Sequence, residues 1–528
     1  FTTQTYAGKI RIPKDVPTGG SRFTLIESGV TYIVTQDMVR DSLAFDIQAK
    51  NITLDLDGHM VVYDDVHQGE ITGPDGNFWD YINQSSFGIR VGNNCSGFKI
   101  LNGTIKQGAG NDAAHQTSIG FSPVYVRGGV TGGEIAGITA EYGGPQVSGL
   151  YFHTAPNNNV HHNVMKDRGT IVTNRHIGVH AICASNNRYN LVARTRHFAI
   201  SGQNANHNEV YIDSWATNAF GFVGSGKGAL YGNRLFGSGY HLVAFGAYGG
   251  SLYDNFVHLE GGPPDDRWDE YGSQISLNGF RLTQYNNGTK RYENIEIYNN
   301  VVSINIKEGN IGRGTELCSD DYVSNLQCYD NVIKVMYMDN HPGNTGGCVV
   351  AQTLGDRINT ALPLVYTNNI FISNRRNIMF GDRYIPSSSN HHFVHCHFVR
   401  IGNDSDYNTF YFHTDREKKH IIQDGIFSGG ASATSVHWGT IVPSAQNYEI
   451  QYSLKVIALP GMPVGVVDFN DAAVFSGTIG VDSIAETVLL SMNRNPSIDT
   501  VFTPHRVWGT SPGNFKTVTM DSARVVDF

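Results

Sequence analysis

The stretch 150–208, LYFHTAPNNNVHHNVMKDRGTIVTNRHIGVHAICASNNRYNLVARTRHFAISGQNANHN, carries seven of the chain's 21 histidines and six of its 38 Lys and Arg residues, with Asp167 as its one acid. In a chain of net charge −9 this is a local inversion of sign, and a concave basic patch on an acidic body concentrates an anionic ligand. The spacing says how such a patch is presented. His176 and His197 lie 21 residues apart, as do Arg175 and Arg196, and His153 precedes His176 by 23. A chain that coils with about 22 residues per turn stacks these side chains into one row, each turn one strand spacing, about 4.8 Å, above the last.

Composition agrees with strands and turns. Of 528 residues, 60 are Gly, 53 are Phe or Tyr and only 16% are charged, and no long stretch repeats with helical periodicity. Apolar runs are too short to span a membrane as a helix. The net charge of −9 speaks against nucleic acid as the main partner. A first residue Phe1 rather than Met fits a processed, secreted form. The six cysteines form no CxxC pair, which argues against a zinc cluster. A disulfide from Cys318 to Cys328 or Cys348 is one expectation, and thiols turned into a solenoid core are the other.

Residues 51–63, NITLDLDGHMVVY, alternate Ile52, Leu54 and Leu56 with polar residues and then turn at Asp57-Gly58, so one strand face is buried and a second strand follows. Further along, Asn stands before an apolar or β-branched residue in HHNVM (Asn163), NHNEV (Asn208), YGNRL (Asn233), YDNFV (Asn255), YNNVV (Asn300), YDNVI (Asn331) and TNNIF (Asn369). The intervals are 45, 25, 22, 45, 31 and 38 residues: one or two turns each, the last two with inserted loops. Asn suits a left-handed corner between strands, and its amide can bond its counterpart one turn away. These features resemble the opening and later rungs of the pectate-lyase-like superfamily of secreted, right-handed parallel β-helix proteins. The resemblance covers about residues 40–430. It implies an all-β solenoid and leaves the activity open, because lyases, glycosidases, epimerases, tailspikes and adhesins share the fold.

The expected organisation is an N-terminal cap and first strands over 1–50, a parallel β-helix over 51–430, a linker or cap over 431–447, and a small β-sandwich over 448–528. The last segment is read from alternating strands with Gly and Pro turns, and its PGMPVGVV at 460–467 resembles the carboxypeptidase-regulatory-like, transthyretin-like accessory module. Two insertions interrupt the rungs. Residues 64–86 carry Trp79 and Tyr81, and residues 260–271 set Asp265, Asp266, Asp269 and Glu270 around Trp268. Such loops either decorate the surface or stack aromatic residues on sugar rings, and the acids suit Ca²⁺ or proton transfer.

Cleaving a uronic-acid polymer by β-elimination needs a cation at the carboxylate, a base for the C5 proton and an acid for the leaving oxygen. Arg175, His176, Arg196 and His197 are the candidate catalytic residues, with His153, Lys166, Arg168, His180 and Trp268 as candidate substrate contacts. Neighbours in a strand point to opposite faces, so one of each Arg-His pair is structural unless a corner lies there. A histidine row also fills a solenoid turn without catalysis. His176 and His180 would bind zinc only on a helix, and IGVHAICA reads as a strand, so no metal site is assigned. A polygalacturonase-type hydrolase would need paired acids; Asp320 and Asp321 are adjacent, but the Gly-His-Gly of that type is missing, which leaves Asp213 and Asp254 as weaker alternatives. The contrasting class is a non-enzymatic, self-associating surface, filament or tailspike-like protein that binds glycans.

Overall fold

The computed structural model describes residues 8–16, 22–66, 87–110, 122–143, 148–153, 155–169, 180–195, 198–214, 219–224, 228–239, 241–246, 250–261, 275–281, 291–306, 310–317, 322–337, 348–352, 363–380, 390–402, 407–412, 419–439, 446–497, 499–509 and 515–528. Among them all regular structure is strand, arranged as a parallel β-helix up to about residue 457 and with antiparallel pairings after it. The chain divides into two compact units, 1–280 with 305–311, and 281–304 with 312–528.

In the first unit each coil contributes two consecutive strands to one sheet and a third to another. Lys99–Gln107 stacks on Glu134–Tyr142, which carries both Asn159–His161 and Val164–Asp167. Leu191–Thr195, Glu209–Ser214, Arg234–Gly239 and Phe256–Gly261 then follow in parallel register. Stacking already begins at Lys9–Ile12, which pairs with Thr31–Val34. The other sheet stacks Val124–Val126, Leu150–Phe152, His180–Cys183, Phe198–Gly202 and Ala219–Gly224. Alternation makes this work. Ile105, Ala140, Met165, Val192, Val210, Leu235 and Val257 occupy one register column, all fully buried, while their strand neighbours face out. Each large apolar side chain in such a column contributes about 1.5–3 kcal/mol of burial free energy.

The coil corner is held by an asparagine ladder. Asn163, Asn190, Asn208, Asn233 and Asn255 are buried, and each Oδ1 from Asn190 onward accepts the backbone N–H and the side-chain amide of the Asn one coil below, at 3.0–3.1 Å. The Nδ2 groups also donate to backbone carbonyls, such as Asn163 to Ile135 and Asn190 to Val160. A buried amide left without these partners would cost about 1–3 kcal/mol, so the ladder specifies the corner. Two details differ from the sequence reading. Asn190 is a rung that divides the 45-residue interval into coils of 27 and 18 residues. The left-handed residue is the one before the ladder Asn: His162, Tyr189, His207, Gly232 and Asp254 have φ of 52–63°. The Asn side chain is therefore freed to point inward.

The second unit repeats the plan. Arg291–Tyr298, Tyr322–Tyr329, Leu364–Thr367, His391–Val394 and Lys419–Gln423 stack in parallel, and Asn300, Asn331 and Asn369 continue a ladder at 3.0 Å. Its interior is aromatic, with Tyr366 on Phe393 at 4.8 Å and Phe398 on Phe427 at 5.1 Å. Cys95, Cys183, Cys328 and Cys396 are free thiols. This corrects the expected bridge to Cys328, whose sulfur is buried in the coil against Asn331 Nδ2; Cys318 lies outside the described residues. Asn447–Ile457 pairs in parallel with both Lys419–Gln423 and Arg524–Asp527, and antiparallel with Ile484–Arg494. A separate antiparallel sheet has the order Ala473–Thr478, Pro463–Val467, His505–Gly509, Phe515–Val518.

Candidate functional site

In the first unit, the strands Met60–Tyr63, Lys99–Gln107, Glu134–Tyr142, Val164–Asp167, Leu191–Thr195 and Glu209–Ser214 all end along one edge. A cleft of about 420 Å³ opens there, lined by Val39, Val62, Asp65, Lys106, Gln107, Gly108, Ala109, Gly143 and Arg168. The exposed Arg168 guanidinium is fixed by donating to the Gln107 carbonyl at 2.6 Å. A carbonyl orients a guanidinium without neutralising it, and neither Arg168 nor Lys106 is ion-paired to a described residue. Gly108 lets Asp65 approach, since a Cβ at that position would lie 2.6 Å from Asp65 Cα. Beneath the cleft Gln107 is buried: its Nε2 donates to Asp64 at 3.0 Å and its Oε1 accepts from Gly143 N at 3.0 Å. Burial, then the Asp64 charge, pushes the Tyr63 phenol well above its ordinary range, so it stays protonated.

A charged column runs along the same edge. Lys106, Glu141, Lys166 and Arg194 are register neighbours on successive strands. Lys166 Nζ pairs with Glu141 at 3.1 Å, and Arg194 pairs with Asp213 at 3.3 Å while donating to the carbonyls of Asp167 and Gly169. Asp167 is buried and accepts from Gly169 N at 2.9 Å, an N–H two residues on that closes the turn after the strand.

Of the residues singled out from sequence, Lys166 and Arg168 are thus on this edge. His180 begins the next strand, its ring stacked between Tyr151 at 6.5 Å and Phe198 at 5.0 Å, and His153 stacks on Tyr151. Tyr151 and His180 belong to a pile of rings, Phe87, Tyr125, Tyr151, His180, Phe198 and Phe220, with successive centroids 4.6–6.5 Å apart, buried at Phe87 and Tyr125 and half-buried from Tyr151 on. Ring faces are spent on one another, so the pile offers edges and packing rather than sugar-stacking faces. Burial pushes the Tyr151 phenol up to about 12, which makes it no base at neutral pH. Asp254 is the exposed left-handed residue of its corner, a backbone role that accounts for the acid there. Arg175, His176, Arg196, His197, Trp268, Trp79, Tyr81, Asp320, Asp321 and the acids 265–270 lie outside the described residues. Among the described residues, no group of three or more His, Cys, Asp or Glu side chains is placed to hold a metal ion, and no helix is long and apolar enough to cross a membrane. Lys106, Asp65 and Arg194 are the site residues that sequence reasoning missed.

No family model and no curated protein matches the chain. Among solved structures it is similar to DFA-IIIase from Arthrobacter chlorophenolicus A6, without its lid and in complex with GF2, at 9% identity over 81% of this chain and 100% of that one, with a TM-score of 0.38. It is also similar to a tailspike protein mutant of E. coli bacteriophage HK620 in complex with pentasaccharide, at 10% identity over 93% of this chain and 86% of that one, with a TM-score of 0.39.

Proposed function

We propose that this protein acts outside the cell on an anionic, uronic-acid polysaccharide, holding it along the strand-end edge and cleaving it by β-elimination in the manner of the pectate-lyase-like superfamily. The observation that carries the reading is the pair Arg168 and Lys106: two cations at one cleft, the first held in place by a neutral carbonyl. A uronate carboxylate placed against them has its charge neutralised, which acidifies the proton on C5. The base takes that proton, the C4–O4 bond breaks as the C4–C5 double bond forms, and the leaving oxygen receives a proton. Arg175, His176, Arg196 and His197 are assigned as the catalytic residues, the histidines to the proton transfers and the arginines to the carboxylate charge. His153, Lys166, His180 and Trp268 are assigned to flanking sugars, and residues 448–528 to an accessory β-sandwich.

The test offers the purified protein a panel of uronic-acid polymers, with and without Ca²⁺, beside Arg168→Ala and an Arg196→Ala, His197→Ala double variant. Ultraviolet absorbance of an unsaturated uronate end that appears with wild type and is lost in the variants supports elimination. New reducing ends without that absorbance replace it with hydrolysis. Retention on the polymer with no cleavage, weakened by Arg168→Ala, replaces it with the binding-protein reading; neither cleavage nor retention overturns the polysaccharide assignment.

A further inference from the structure

At the coil corner away from the strand-end edge, two adjacent imidazoles face each other: His161 Nδ1 lies 2.9 Å from His162 Nδ1. His161 Nε2 lies 3.1 Å from Glu134 Oε1. A carboxylate accepts, so His161 carries its proton on Nε2 and its Nδ1 accepts the hydrogen bond from His162 Nδ1–H, a proton that a metal ion bound by both Nδ1 atoms displaces to solvent as His162 shifts to its Nε2–H tautomer. Glu134 is itself held in place by Lys99, whose Nζ lies 2.6 Å from its Oε2. His162 is fixed by a different element, its ring stacked on Tyr189 at 5.2 Å, and Tyr189 in turn on His207 at 5.1 Å. Tyr189 is an exposed residue in the left-handed conformation, where an Asn or Gly would sit with less strain. The corner thus carries a ring where backbone geometry alone favours a smaller residue, and that ring supports His162.

We propose that His161 and His162 chelate a divalent transition-metal ion through their Nδ1 atoms, with Glu134 as the outer carboxylate that sets the His161 tautomer. Metal-bound imidazoles donate their other N–H to such a partner as a rule. Distance selects the metal. With metal–nitrogen bonds of about 2.0–2.1 Å, an N···N separation of 2.9 Å subtends about 90° at the ion, whereas a tetrahedral ion would need about 3.3 Å. Right angles belong to square-planar or tetragonal Cu²⁺ and Ni²⁺, not tetrahedral Zn²⁺. His162 is exposed and His161 partly so, which leaves the remaining coordination positions to water or an incoming ligand. The site is independent of the polysaccharide reading.

Titration calorimetry of the full chain with Cu²⁺, Ni²⁺ and Zn²⁺ tests it, with the electron paramagnetic resonance spectrum of the Cu²⁺ form as a second readout. The expected result is one tight Cu²⁺ equivalent with a tetragonal, two-nitrogen spectrum and weaker Zn²⁺ binding. That equivalent disappears in a His161→Asn, His162→Asn variant and weakens roughly 10- to 100-fold in Glu134→Gln without a change in stoichiometry. Asn is tolerated at the left-handed position 162, so His162→Asn alone serves if the double variant does not fold. Undiminished tight binding in a folded His162→Asn variant, or an unchanged affinity in Glu134→Gln, overturns the assignment.

Discussion

Replacing Asn208 by Ala should open the corner of its coil selectively. Its Nδ2 donates to the carbonyls of Asn187 and Asn206, each at 3.1 Å, and to Asn233 Oδ1 at 3.0 Å. Its Oδ1 accepts from both Asn190 N and Asn190 Nδ2 at 3.0 Å. Asn190 Nδ2 keeps its second acceptor, the Val160 carbonyl, but the buried Asn190 N–H loses Oδ1. An orphaned buried donor costs about 1–3 kcal/mol, and the lost rung bonds add about 1 kcal/mol net, for a total of roughly 2–4 kcal/mol. A stacked coil contacts chiefly its neighbours, so the effect belongs to the local opening equilibrium and is best read there rather than from global unfolding. In amide hydrogen exchange followed by mass spectrometry, 2–4 kcal/mol corresponds to roughly 30- to 1000-fold faster exchange at the Asn190 amide. Asn206→Ala is the control: among the described residues its side chain is hydrogen-bonded to His207 alone, at 3.3 Å, and a surface change of that kind stays within about 0.5 kcal/mol. Exchange at Asn190 within about threefold of wild type in Asn208→Ala would refute the claim that the ladder specifies the corner.

Three further outcomes are expected. Burial alone would raise the Asp46 carboxyl, but hydrogen bonds from Arg90 and Gln48 outweigh it and hold it low; Arg90→Met leaves that buried charge with Gln48 and the half-exposed Arg22 at 3.9 Å, so it should cost about 1–3 kcal/mol in urea denaturation, and an unchanged midpoint would contradict this. Gly250 has φ of 94° and a Cβ there would meet the Gly228 carbonyl, so Gly250→Ala should lose at least about 1–3 kcal/mol, and an unchanged thermal transition would count against the register of that coil. Burial, then the charges of His420 and His392, hold the His391 imidazole well below 6.5, so the unfolded chain binds the proton more readily; stability is full above pH 6.5 and falls as pH drops below it, by up to about 1.4 kcal/mol per unit. His391→Phe should flatten that acid limb, and an unaltered limb would place its origin elsewhere.

The fold was legible because a parallel coil imposes one demand on many residues at once. An inward column needs apolar residues at every turn, and a ladder needs Asn at every corner, so the pattern survives variable coil lengths. Asn190 escaped notice because its coils, 27 and 18 residues, straddle the average and sum to two ordinary turns. The corner itself was displaced by one position for a physical reason. At these corners the two jobs fall on adjacent residues: His162, Tyr189 and His207 take the left-handed φ and the Asn that follows takes the hydrogen bonds. Sequence spacing shows that something recurs; it does not separate two adjacent residues with opposite jobs.

The candidate site was only half legible, and the same variability explains why. Lys166 and Arg168 stood out through local density of charge, a one-dimensional signal. Lys106 and Asp65 come from coils 60 and 101 residues earlier than Lys166 and look unremarkable there, and it is register that brings them to the same edge: Val62 on Lys106, Lys106 on Glu141, Glu141 on Lys166. Charge density also overstated Lys166, because its partner Glu141 lies outside the dense stretch and arrives by the same register. In a solenoid, then, the net charge of a patch is a sum down a column and not along the chain. Evaluated that way, Lys166 and Arg194 are offset by Glu141 and Asp213, and the cleft holds Lys106 and Arg168 beside one acid of its own, Asp65, so its surplus is a single positive charge carried by two cations on one side of the opening.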